Sequence, residues 1–310
     1  MRWEQWINDL ILQKEIGVNN NNNGEMKKNF LDIAEEFSNP QTARYTVLLV
    51  PYDGTSTWQK GADKGPEALI SASCFVELYE METGQEAYKR GIYTKRNKFV
   101  FSSPEAMIRE VQAEVGALFK QGTMPIIIGG EHSVSIGAVK ALSQAFPNLS
   151  VLQLDAHTDL RADYQGSPYN HACTMARIKE FCPIVQVGIR AMDRAEVALT
   201  EPGSFFPAKD IHDNEIWMSK ALEKLSADVY LTVDLDVFDP SLMPATGTPE
   251  PGGLSWYPVL KFLRQVIEQK NLVGFDVVEL CPKDDPHPAF LAATLVYKLI
   301  SYHTLKELKK

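Results

Sequence analysis

Residues 125–159 read PIIIGGEHSVSIGAVKALSQAFPNLSVLQLDAHTD. Three β-branched residues, Ile126, Ile127 and Ile128, run into a Gly129-Gly130 turn. A helical stretch at 133–146 follows, and a second apolar run at 149–154 ends on Asp155. Strand runs that are apolar throughout belong to a parallel sheet covered on both faces. The rhythm continues outward in both directions. Strand-like runs at 45–50, 184–187, 229–233 and 272–277 alternate with helical stretches at 104–120, 214–225 and 256–269, and Pro286 opens a last helix running towards Leu308. Ser103 followed by Pro104 has the form of an N-cap with proline at the first helical position. The expected fold class is α/β: a three-layer α/β/α sandwich around a mostly parallel central sheet.

Upstream of that rhythm the chain changes character. Trp3, Trp6, Ile7, Leu10 and Ile11 recur at helical spacing, and five asparagines, Asn19 to Asn23, precede Gly24. Residues 1–25 are therefore expected to be an N-terminal helix and an asparagine-rich linker, with one large domain over 26–310. The first residues lack a basic n-region and a small-residue cleavage site, so no signal peptide is expected. Of the 310 residues 45% are hydrophobic and 23% charged, a balance that excludes a disordered chain. No apolar run approaches the ~18–20 residues of a membrane-spanning helix. The net charge of −9 argues against nucleic acid and anionic membrane as partners and suits a cationic ligand. Cys74, Cys173, Cys182 and Cys281 form no CxxC pair and read as reduced thiols of a cytoplasmic protein.

In a sheet of this kind, chemistry collects beyond the carboxyl ends of the strands. Three strand ends carry it: Gly129-Gly130-Glu131-His132-Ser133, Asp155-Ala156-His157-Thr158-Asp159 and Asp234-Leu235-Asp236-Val237-Phe238-Asp239-Pro240. If the strands stay extended, Asp155, His157 and Asp159 share one face, as do Asp234 and Asp236. Carboxylates converging in this way repel one another and lose hydration unless a cation joins them. With His132 the set becomes four aspartates and two histidines, enough for two divalent ions with shared carboxylates. Gly129 and Gly130 are expected to let the backbone pass close to those ions. Oxygen-rich ligation with two imidazoles and no thiolate favours manganese, with nickel, cobalt or zinc compatible with the same ligands. A lone DxD often caps a helix or sits in a turn; three such motifs at strand ends of one sheet have no simple structural explanation without metal.

GGEHS, DAHTD and DLDVFDPSLMPATGTPEPGG resemble, in order and content, the signature blocks of the ureohydrolase family of arginases, agmatinases and related guanidino-compound hydrolases. The resemblance runs from about Tyr45 to the end of the chain and makes 26–310 the catalytic domain. Glu131 departs from the aspartate common in the first block. The resemblance implies an arginase-like fold and two metal ions per subunit. It makes Asp155 and Asp234 bridging ligands, gives His132 and Asp159 to one ion, and gives His157 and Asp236 to the other. It further implies that a metal-bridging hydroxide attacks a guanidinium to yield urea and an amine, with Asp159 holding the hydroxide. Glu279 matches the glutamate that pairs with the guanidinium, and His171 the loop histidine that shuttles protons. His212, His287 and His303 match no family site and are expected to be structural or solvent-facing.

After DAHTD the chain reads Leu160-Arg161-Ala162-Asp163-Tyr164-Gln165-Gly166-Ser167-Pro168-Tyr169-Asn170-His171, which resembles the agmatinase version and not the Ser-Gly-Asn-Leu-His-Gly stretch of arginases. A small cationic guanidino substrate is expected, with agmatine, cleaved to putrescine and urea, in first place. Arg161 could instead receive a guanidino acid such as guanidinobutyrate, or sit in a structural ion pair. Arginine and free guanidine complete the set of candidate substrates. Trimers or hexamers are expected from the resemblance. A metallophosphatase should bring basic or glycine-rich phosphate contacts near the metals, and none is seen; a deacetylase-like relative would keep one metal. A non-catalytic metal-binding scaffold would have no use for Glu279 together with His171.

Overall fold

The computed structural model describes residues 28–309. The amphipathic stretch with Trp3 and Trp6 and the asparagine run both lie outside the described residues. The strands are β1 (Tyr45–Val50), β2 (Ile92–Arg96), β3 (Met124–Gly129), β4 (Ser150–Leu154), β5 (Ile184–Ile189), β6 (Phe205–Pro207), β7 (Asp228–Asp234) and β8 (Asn271–Val278). They form one sheet in the order β2-β1-β3-β8-β7-β4-β5-β6, every neighbouring pair parallel. Parallel neighbours need long crossovers. Here these include α1 (Gly65–Ser73), α2 (Pro104–Lys120), α3 (Val134–Ser143), α4 (Thr174–Ile178), α5 (Ala208–Ile211), α6 (Ile216–Lys224) and α7 (Trp256–Gln269), and α8 (His287–Leu308) follows the last strand.

The apolar strand runs have the cause inferred from the sequence. Successive side chains leave a strand on opposite faces, and both faces are covered. Ile126 and Ile128 pack in one core with Leu69, Met218, Phe262 and Leu295, whereas Ile127 joins a second core with Met107, Val111, Val139 and Leu142. Burying such a side chain contributes roughly 1.5–3 kcal/mol. Ser103 caps α2 as expected, its hydroxyl accepting from the Ala106 amide at 3.2 Å.

The sequence reading missed three helices, α1, α4 and α5, and two strands, β2 and β6. Those strands are the two edges of the sheet. An edge strand is half solvated, so its side chains alternate: β2 buries Ile92 and Thr94 while Lys95 and Arg96 close it, and β6 is three residues ending in proline.

The topology decides the neighbours of the site. In the middle of the sheet β8 lies between β3 and β7, and β7 lies beside β4. The turn holding His132, the strand end holding Glu279, and the Asp234 and Asp155 segments are thus four adjacent strand ends.

Candidate metal centre

Each motif bends just past its strand. β4 stops at Leu154, so Asp155, His157 and Asp159 do not share an extended face, contrary to the sequence reading. Asp159 has φ +52° and Glu279 φ +67°, left-handed values that a non-glycine residue adopts only under constraint from its surroundings. Asp236 sits in a 3-10 turn, Leu235–Val237. The turns bring the six side chains together all the same. His132 Nδ1 lies 3.1 Å from Asp155 Oδ2, 3.0 Å from Asp159 Oδ2 and 3.4 Å from Asp234 Oδ2. His157 Nδ1 lies 2.9 Å from Asp236 Oδ2 and 3.7 Å from Asp155 Oδ1. Among the described residues two groups could hold a metal ion, His132–Asp155–Asp234 and Asp155–His157–Asp236, and Asp155 belongs to both.

The glycines act differently from the expectation. A Cβ on Gly130 would lie 2.0 Å from the Tyr52 carbonyl oxygen, so the close approach is to the chain beyond β1 and not to the ligand cluster. Gly130 also accepts the Glu279 amide at 2.7 Å, stitching the β3 and β8 ends together.

Two polar ladders run from the cluster into the sheet. Tyr230 donates to Asp276 Oδ2 at 2.7 Å, Thr232 Oγ1 donates to Asp276 Oδ1 at 2.6 Å, and His132 Nε2 lies 2.9 Å from Thr232 Oγ1. A threonine whose proton goes to Asp276 must accept from His132 Nε2–H, so the neutral ring that a metal requires carries its lone pair at Nδ1. That lone pair faces three carboxylate oxygens and has no hydrogen-bond partner. On the other side Gln186 donates to Gln153 Oε1 at 2.6 Å and Gln153 to Asp155 Oδ2 at 2.6 Å. Ala156 N–H holds Asp236 Oδ1 at 2.9 Å, and Asp236 Oδ2 is buried with no hydrogen bond. Orphaned ligand atoms converging from a fixed frame fit divalent metal.

Electrostatics without metal express the same strain. Burial disfavours the His132 and His157 cations, but the aspartates outweigh it: His132 is raised well above the usual value, and His157, mainly through Asp236, is pushed up to about 12. Burial, with Asp155 beside it, lifts Asp159 to about 6, and burial with Asp236 and Asp155 raises Asp234 strongly. Asp155 carries the same burial penalty, yet His132 and His157 hold it below the ordinary range. Glu279 is raised well above its usual value by burial and by the charge of Glu131.

A cavity of about 300 Å³ opens on this cluster, its wall including Thr57, His157, Asp159, Arg161, His171 and Glu250. His171 is pushed down to about 4 by burial and by the neighbouring His157 and His132 charges. Glu279 stays behind the wall, its Oε1 accepting from the His132 amide at 2.7 Å. Arg161 is engaged: it lies 3.8 Å from Asp193 and 4.0 Å from Glu196, with its guanidinium 4.3 Å from the Tyr164 ring centre. His212 and His287 are exposed beside Asp213 and Asp285, and buried His303 bonds Tyr45. A larger cavity of about 560 Å³ beside Phe75 and Phe290 is mostly apolar and contains none of the expected site residues.

The sequence reading missed Asp276, Thr55 and Glu250. Asp276 stood in an apolar strand run as a lone acid, a signal in itself. Glu131 fixes Thr55, whose hydroxyl donates to Glu131 Oε1 at 2.8 Å and accepts the His171 amide at 2.8 Å. The longer side chain of the variant GGEHS block thereby clasps the loop that carries His171.

A family model described as the arginase family matches residues 43–301. The chain is 36% identical to the N(1)-aminopropylagmatine ureohydrolase of Synechocystis sp. over 91% of its own length and 96% of that protein. It is 39% identical to the N(1)-aminopropylagmatine ureohydrolase of Thermus thermophilus, over 86% of its length and 92% of that protein. The crystal structure of an agmatine ureohydrolase of Thermoplasma volcanium superposes with a TM-score of 0.82 at 31% identity, covering 92% of this chain and 97% of that one.

Proposed function

We infer the substrate from one premise: this chain belongs to the arginase family, as a ureohydrolase of its agmatinase branch acting on linear amidines. The substrate it fits best is a guanidino amine without a carboxylate, N(1)-aminopropylagmatine first and agmatine second, cleaved to urea and a linear amine. The observation that carries this reading is the state of Arg161. Its charge is shared with Asp193 and Glu196, at 3.8 and 4.0 Å, one face of its guanidinium lies over the Tyr164 ring, and among the described residues it is the only arginine or lysine in the cavity wall. A carboxylate entering there would lose its water and have to compete with Asp193 and Glu196 for that one cation. The names of the two relatives favour the aminopropyl compound over agmatine, which the sequence alone put first.

His132, Asp155, His157, Asp159, Asp234 and Asp236 would hold two divalent ions, with manganese suited to the donor set. When bound, the ions would lower the pKa of a water molecule and fix its position. The protein's own groups do the rest. Glu279, whose charge burial disfavours, regains a reason to ionise when a guanidinium lies opposite it, and a carboxylate matches that planar cation through two parallel hydrogen bonds. Asp159 accepts a hydrogen bond from the attacking water. His171 is neutral near pH 7 and is free to take a proton at Nε2 and pass it to the departing amine, which is too basic to leave without one.

The test is urea release by the manganese-reconstituted chain from N(1)-aminopropylagmatine, agmatine, 4-guanidinobutyrate and arginine. The expected order of kcat/KM puts the two amines ahead of both carboxylates. A carboxylate-bearing substrate at the top would overturn the reading.

A further inference from the structure

One carboxylate in the cavity wall has no task in the chemistry above. The Glu250 side chain is 39% exposed, and its Oε1 lies 3.9 Å from His157 Nε2, beyond hydrogen-bond reach. Among the described residues none donates a hydrogen bond to its carboxylate. The neighbouring acid is occupied: buried Glu196 accepts from the Thr158 hydroxyl at 2.8 Å and from the Leu160 and Asp193 amides at 2.9 and 2.6 Å.

The backbone of Glu250, in contrast, is pinned. Arg190 Nη2 donates to the Glu250 carbonyl at 2.8 Å and to the Asp236 carbonyl at 2.5 Å. The position of Glu250 is thus tied to the His/Asp cluster while its carboxylate stays available. The segment that ends there begins beside Glu279, since a Cβ on Gly247 would lie 3.5 Å from Glu279 Oε2. Three residues of extended chain reach at most about 10 Å. The two carboxylates are therefore separated by no more than that span, the 3.5 Å gap at Gly247 and the reach of the Glu250 side chain. Met192, Ala191 and the ring of Tyr164 give the same cavity apolar surface for methylenes.

We propose that Glu250 determines specificity by binding the amine that lies beyond the methylene chain of the substrate, so that the enzyme selects guanidines with a cationic tail. The proposal rests on the guanidine-hydrolase reading above. A protonated amine gains a charge-assisted hydrogen bond from this half-exposed carboxylate, and a carboxylate tail meets repulsion. Discrimination thus comes from the attraction of one tail and the rejection of the other.

The test compares wild type with Glu250→Gln, both reconstituted with manganese, on agmatine, N(1)-aminopropylagmatine and n-pentylguanidine, whose tail is neutral. The kcat/KM ratio of each amine to n-pentylguanidine is expected to fall about tenfold in the variant, chiefly through KM; that is the low end for a charge-assisted bond at a half-exposed site. Bound manganese per chain should equal the wild type, and calorimetry should show a linear triamine binding about tenfold more weakly. Ratios that stay constant, or lost manganese, would overturn the proposal and make Glu250 a support for His157. Wild type releasing urea from no guanidine would sink the reaction assignment instead, while triamine binding would still report on Glu250.

Discussion

His171 lines the cavity with its imidazole driven towards the neutral form, Nε2 lying 3.4 Å from the Thr57 hydroxyl, and its backbone held by Thr55. It makes no hydrogen bond to any of the six clustered side chains, so its loss should separate proton transfer from metal binding. His171→Asn is expected to keep its metal, measured by elemental analysis, while turnover falls by roughly a hundred- to ten-thousand-fold. Metal lost in parallel would make the residue structural. Asp276 makes the complementary case, since it reaches His132 only through Thr232. Asp276→Asn should weaken metal affinity by about 10- to 100-fold in a chelator competition; unchanged affinity would show that the ladder does not support the metal. The raised His157 also gives a pH dependence whose sign is fixed. His157, pushed up to about 12, holds its proton in the metal-free chain at pH 7, whereas a ligating imidazole must be neutral. Metal uptake should therefore release protons and tighten as pH rises. Calorimetry in buffers of different ionisation enthalpy reads that release directly, and none would contradict this value.

At the level of elements, the residue types at three strand ends announced that His132, Asp155, His157, Asp159, Asp234 and Asp236 belong together, because buried like charges demand a common cation. How they meet was not legible. An extended strand would have aligned Asp155, His157 and Asp159, but the left-handed turn at Asp159 aims its carboxylate at His132 instead. A single φ value of this kind follows from tertiary constraint and leaves no mark in residue order. The central strands announced themselves because both faces are buried, and the edges β2 and β6 did not because half their surface meets water. Glu131 is a further case: its departure from the aspartate of the family pattern was visible, whereas its reach to Thr55 depends on the path of the 51–60 loop. Thr55→Val removes that clasp and leaves the Glu131 carboxyl with one side-chain partner fewer. It should cost about 1–3 kcal/mol and lower the melting temperature by a few degrees. A variant that melts with the wild type would show that the loop is held by other contacts.

On the scale of the whole molecule, the parallel sheet gathers its chemistry on one side. β8 sits between β3 and β7, so buried Glu279 lies at the strand end between those that carry His132 and Asp234. Trp58, Met81 and Tyr257 are large apolar side chains left well exposed among the described residues. Together with the ureohydrolase resemblance they lead to the expectation that the chain self-associates; sedimentation showing only monomer at micromolar concentration would refute it, and deletion of residues 1–25 would test the part played by the N-terminal segment. The central claim is that two ions held by one His/Asp cluster make this chain a guanidine hydrolase. Its most direct test is to titrate the metal-free chain with manganese while recording urea release from N(1)-aminopropylagmatine. Turnover should stay low through the first equivalent and reach its plateau at two per chain. Full turnover at one equivalent, or without added metal, would contradict it.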